Sequence, residues 1–103
     1  MSEKLPKLTA MLEKQPNDPF LLYGIAMEHK KMNDPAEAIA FLDRCIAADP
    51  NYCYAYFQRG QICEMTGDLP AAKQSYNDGI AAAKRAGDAH AQSEIEGALS
   101  MME

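Results

Sequence analysis

Apolar residues recur along this chain at spacings of three and four, and no stretch alternates with a period of two. Ile39, Leu42 and Ile46 form one such run, and Leu69, Ala72, Tyr76 and Ile80 form another. An α-helix gathers positions so spaced onto one face. The pattern therefore predicts helices throughout and no strands. The punctuation between runs agrees. Asp18-Pro19 and Asp34-Pro35 each place an N-cap acceptor before a proline whose fixed φ suits a first helical turn. Asp34 with Glu37 has the spacing of a capping box. Asn33-Asp34 and Gly67-Asp68 supply residues that tolerate a left-handed backbone between paired helices. Pro16 and Pro50 close the helices before them, since proline cannot continue a helix.

The runs are also copies of one another. Shifting the chain by 34 residues carries Pro16 onto Pro50 and Asn17 onto Asn51 with no gap. The register holds as Phe20 falls on Tyr54, Leu22 on Tyr56, Tyr23 on Phe57 and Ala26 on Gly60. It holds again at Asp34/Asp68, Ala38/Ala72, Leu42/Tyr76 and Ile46/Ile80, and backwards at Leu8/Leu42 and Leu12/Ile46. A shared chemical class at so many paired positions marks an internal repeat, each unit reading as two helices.

With a period of 34, a helix–turn–helix unit, Ala38-x3-Leu42 with Pro50, and Tyr56-x3-Gly60 with Ala72-x3-Tyr76, the chain resembles the tetratricopeptide repeat family. The resemblance covers Pro19 to about Ala86. It implies one domain over 1–103, made of a half-repeat helix at 3–15, repeats at 19–50 and 51–86, and a capping helix at 88–102. In the capping helix Asp88 is the expected N-cap. Ala91, Ile95, Ala98, Leu99 and Met102 lie on one face, with Gln92, Glu94 and Glu96 on the other. The implied fold is all-α: about six helices in a short right-handed superhelix. The chain departs from the family pattern at three places. Leu22 and Tyr56 stand where a tryptophan is usual, Arg59 stands where a leucine is usual, and Lys84 replaces the closing proline of the second unit. The Arg59 stem is expected to pack while its head reaches an acid.

The first helix of each repeat carries two stripes. Leu22, Ile25, Ala26 and His29, matched by Tyr56, Gly60 and Cys63, are expected to face the partner helix, with the small residue allowing close approach. Phe20, Tyr23, Met27 and Lys30, matched by Tyr54, Phe57, Gln61 and Glu64, form the second stripe, with Gln58 beside it. In the family it resembles, that second stripe lines a concave groove that holds peptides. These nine residues are the candidate contact set for a protein or peptide partner. The alternative is that the same stripe joins two copies of the chain in a homodimer. Tyr52 sits at the start of its helix and is open to either side. A carboxylate-gripping clamp of Lys, Asn and Arg, known in chaperone-binding members, does not fit, because Tyr23 and Met27 occupy the matching positions.

Composition narrows the field. At 103 residues the chain suits a single modest core. A net charge of -5 without a basic run disfavours nucleic acid. The longest apolar run, FLLYGIAM, is far short of a membrane span, and MSEKLPKLTAMLEKQP has no apolar core for a leader. Cys45, Cys53 and Cys63 are odd in number and form no CxxC, which fits reduced thiols in a cytoplasmic protein. Cys45 and Gly79 fall in slots where the family keeps a small alanine. His29 and His90 are far apart, which disfavours a shared metal site, and His29, aligned with Cys63, reads as a packing residue between paired helices. Glu28, Asp43, Asp78 and Glu94 are expected on solvent faces without a carboxylate pair, and no GxGxxG, P-loop, HExxH or nucleophile-elbow pattern occurs. No catalytic residue, metal or cofactor is therefore expected.

Overall fold

The computed structural model describes residues 3–102; Met1, Ser2 and Glu103, which the single-domain reading includes, lie outside the described residues. Six α-helices follow in order: α1 (Lys4–Lys14), α2 (Pro19–Lys31), α3 (Pro35–Ala48), α4 (Cys53–Met65), α5 (Leu69–Ala86) and α6 (Ala89–Ser100). No strand occurs among the described residues.

Three turns are built to one plan. Asn33 (φ 58°), Gly67 (φ 85°) and Gly87 (φ 68°) take the left-handed conformation that ends α2, α4 and α5. At each, the aspartate that follows donates its N–H back five residues: Asp34 to His29 O, Asp68 to Cys63 O and Asp88 to Ala83 O, each at 2.9 Å. The left-handed residue donates back three, to Lys30, Glu64 and Lys84. This double closure is a Schellman motif, and it satisfies carbonyls that a helix end leaves open. The same aspartate then caps the next helix. Its Oδ1 accepts from Glu37 N (3.4 Å), Ala71 N (3.2 Å) and Ala91 N (3.0 Å) in turn. Asp18 caps α2 through Phe20 N and Leu21 N. At α4 the aspartate is replaced by Tyr52, whose side chain caps nothing.

The chain packs as two compact units that divide after Asp49. In the first, α2 packs on both α1 and α3. Leu12, Leu21, Leu22, Ile25, Ala26, Ala38, Leu42 and Cys45 are buried there. A Cβ added at Gly24 would meet Leu8 of α1 at an ordinary van der Waals distance of 3.5 Å, so the approach of α1 does not depend on glycine there. In the second unit α5 packs on both α4 and α6. Tyr76 is fully buried, with Ala72, Ala82, Ala83, Ala91 and Ile95. Two glycines set the spacing of that unit. A Cβ at Gly60 would stand 2.6 Å from Tyr76 Cδ1, and one at Gly79 would stand 2.9 Å from Tyr56 Cβ and 3.2 Å from Ile95 Cδ1. Tyr56 is core, as its position in the first stripe predicts, and its hydroxyl donates to Pro50 O at 2.8 Å.

Two departures from the repeat pattern have local consequences. Arg59 lays its guanidinium over the Tyr56 ring, donates from Nε to Ser75 Oγ (3.1 Å) and lies 3.7 Å from Asp78. Lys84, in place of proline, lets α5 run on to Ala86, so it has 18 residues against 14 in α3. One expectation fails: Glu28 is buried (7% exposed) and pairs with Lys31 at 3.2 Å. It aligns with the buried Ile62, so this helix face is covered in both units.

Candidate functional site

The second stripe is the less buried side of both first helices. On α2, Phe20 is 71% exposed, and Tyr23, Met27 and Lys30 are half-buried. Burial lowers the Lys30 ammonium from its ordinary value. The first stripe behind them, Leu22, Ile25 and Ala26, is buried. The helix is thus apolar on a covered side and on an open one. On α4, Tyr54, Phe57, Gln58 and Gln61 are half-buried and Glu64 is exposed, while Tyr56, Gly60 and Cys63 on the other side are buried. The α2 residues belong to the first unit and the α4 residues to the second.

Within the second unit the aromatic residues form a connected set. Tyr54 and Phe57 meet edge to face with centroids 6.3 Å apart, and Phe57 lies 6.1 Å from the buried Tyr76. The hydroxyls of Tyr54 and Tyr76 each donate to a glutamate. Tyr54 reaches Glu94 Oε1 of α6 at 2.8 Å, and Tyr76 reaches Glu64 Oε1 of α4. Glu94 also holds His90 Nε2 at 2.7 Å. The bond to Glu94 pushes the Tyr54 phenol up to about 12. Burial, followed by the bond to Glu64, raises that of Tyr76. Both phenols stay protonated donors at neutral pH.

Glu94 and His90 join this surface, and the buried Tyr76 backs it, though none of the three was in the candidate set. Tyr76 was readable as core from its alignment with Leu42. Nothing local marks Glu94, which meets Tyr54 across 40 residues of chain. The flank of α6 bearing Glu94 continues through Gly97, where an added Cβ would meet nothing within 4 Å, to Met101, which is 90% exposed.

Elsewhere the reactive groups are quiet. Cys45, Cys53 and Cys63 are all buried and form no disulfide. Burial, with the charge of Asp49 second, pushes the Cys45 thiol up to about 12, and its Sγ donates to Pro19 O at 3.3 Å. Burial and Asp88 raise the Cys53 thiol. His29 stacks on Phe41 at 5.6 Å, with Nδ1 3.8 Å from Asp34 Oδ2. Among the described residues no group of three or more His, Cys, Asp or Glu side chains is placed to hold a metal ion, and no helix is long and apolar enough to cross a membrane. A cleft of about 460 Å³ is lined by Asn17, Arg44, Ala47 and Ala48, none of them in the candidate set.

Comparison with known proteins gives a consistent picture. Two models described as tetratricopeptide repeat match residues 21–52 and 41–74. A TPR repeat-containing protein of Pseudomonas aeruginosa is 31% identical over 88 residues, covering 85% of this chain and 84% of the relative. The solution structure of a tetratricopeptide repeat domain protein from Salinibacter ruber superposes with a TM-score of 0.80 at 31% identity, over 85% of this chain and 89% of that one. A protein from Bordetella parapertussis superposes with a TM-score of 0.82 at 25% identity, over 98% of this chain and 88% of that one.

Proposed function

Because the chain belongs to the tetratricopeptide repeat family, whose non-catalytic repeats generally mediate protein–protein interaction, we propose that it is a binding module for a peptide or helical segment of a partner protein. The proposed contact residues are those of the second stripe in each unit: Phe20, Tyr23, Met27 and Lys30 on α2 of the first, and Tyr54, Phe57, Gln58, Gln61 and Glu64 on α4 of the second. One observation carries the reading. Phe20 is 71% exposed on a helix whose opposite side is already fully packed, so the fold does not use its ring. Aromatic and methionine side chains supply adaptable apolar contact of the kind that anchors peptide segments.

The proposed setting is cytoplasmic, which suits three cysteines that form no disulfide. The net charge of -5 supports protein rather than nucleic acid as the partner. The test is capture of partners from native lysate with the unaltered chain and with a Tyr23→Ala/Phe57→Ala variant shown to be folded by circular dichroism. Partners lost from the variant support the reading, and a variant that keeps them all refutes it. Sedimentation over a concentration series separates the remaining alternative. A tight dimer that the same two substitutions dissociate would make the stripe a self-association surface instead.

A further inference from the structure

Resting on the α4 part of that reading, we propose that the second unit selects a partner-protein segment in which a lysine or arginine sits beside apolar side chains. The surface has rings in the middle and acids at both ends. Tyr54 and Phe57 meet edge to face on α4. Glu94 stands at the Tyr54 end, and exposed Glu64 lies ten positions further along, about 15 Å at the helical rise. Both carboxylates are held in place by tyrosine hydroxyls, Tyr54 on Glu94 and Tyr76 on Glu64. A carboxylate accepts about four hydrogen bonds, so each keeps acceptor capacity for an incoming cation.

On α4 and α6, which carry the two rings and the two carboxylates, basic side chains are few. In CYAYFQRGQICEM of α4 and AHAQSEIEGALS of α6 the one lysine or arginine is Arg59. That side chain is turned onto α5, against Ser75 and Asp78. His90 is the remaining basic group and sits on Glu94 itself. A cation entering here is drawn by two carboxylates and by the faces of the rings. Apolar neighbours of that cation have the rings on one side. On the other they have the open flank at Gly97 and the exposed Met101, three and seven residues beyond Glu94. A second copy of the chain fits poorly, because a two-fold contact presents Glu64 and Glu94 to the same acids.

The test uses two short dye-labelled synthetic peptides with the same leucines, one carrying lysine and the other glutamate between them. Each is titrated against the full chain by fluorescence anisotropy at low and high salt. The lysine peptide should bind at least about tenfold more tightly, with the preference narrowing in salt. Glu64→Gln/Glu94→Gln keeps both acceptors for the tyrosines and removes both charges, and should make the two affinities nearly equal. Glu96→Gln, on another face of α6, should leave the preference intact. Equal binding of both peptides that is lost in Phe57→Ala overturns the charge proposal while the binding surface stands. So does a preference that survives the double substitution, or one indifferent to salt should that variant fail to fold. Binding of neither peptide overturns both readings. A dimer in sedimentation that expels the lysine peptide identifies a second copy as the occupant and also overturns the proposal.

Discussion

Gly60→Ala sets two physical effects against each other, and the structure decides between them. In a helix interior alanine is better than glycine by about 0.5–1 kcal/mol, because it loses less backbone entropy on folding. At Gly60 the new methyl would stand 2.6 Å from Cδ1 and 2.9 Å from Cζ of Tyr76. Carbon atoms prefer about 3.5–4.0 Å, so the ring or the helix has to give by roughly 1 Å. Tyr76 is fully buried and its hydroxyl is tied to Glu64, so the ring has nowhere easy to go. Overpacking of this kind costs about 1–3 kcal/mol against that gain, so the balance is a net loss centred on ~1 kcal/mol.

Gly97→Ala is the matched control. Its methyl meets nothing within 4 Å, so the entropic term acts alone and the variant should be more stable by about 0.5 kcal/mol or more. The two units also suggest a repair. Where the second has Gly60 and Tyr76, the first has Ala26 and Leu42, both fully buried. Tyr76→Leu should therefore absorb the Gly60→Ala clash. Urea unfolding followed by far-UV circular dichroism measures all four chains, and the double variant should be less destabilised than the sum of the singles by about 1–3 kcal/mol. If Gly60→Ala stabilises as Gly97→Ala does, or if the two changes add within about 0.5 kcal/mol, the close approach of ring and backbone is not what fixes glycine at this position.

Four further outcomes follow from the contacts described. Glu94→Gln should bring the Tyr54 phenol down from about 12 toward the ordinary value near 10 in an absorbance titration; an unchanged curve would mean Glu94 does not hold that hydroxyl. Because the folded chain holds the Tyr54 proton more tightly than the unfolded one, its stabilising contribution is complete below about pH 10 and is lost as the pH rises toward 12, so the urea midpoint should fall across that window. Lys84→Pro, which restores the family's proline, should destabilise by about 3 kcal/mol, since α5 continues through this position to Ala86; a neutral effect would place the helix end earlier. With its thiol pushed up to about 12 from the ordinary 9.0, Cys45 holds on the order of a thousandfold less thiolate and should resist a thiol reagent at neutral pH until urea is added; prompt labelling of the native chain would contradict its burial.

What the sequence made legible follows from the range over which each signal acts. Helix ends are written locally, in a left-handed residue, an aspartate and a proline, and Asn33-Asp34-Pro35 could be placed from three residues. The stripes are periodic, so Tyr56 could be assigned to the core and Tyr54 and Phe57 to the open side. Periodicity orders the faces of a helix but does not say how many of them are covered. Glu28 shows the difference, because its polar side chain read as a solvent face although it lies on a third, buried one. Alignment with Ile62 was the available warning, and it would have outweighed residue type. Glu94 is a harder case. Its bond to Tyr54 joins the first residues of one helix to the middle of another, and no spacing rule spans the turn geometry between them. The proposed selectivity for a cationic segment depends on that bond. It needs Glu94 and Glu64 at the two ends of one aromatic surface, whereas the place of Phe20 and Phe57 on the second stripe was readable from the repeat alone.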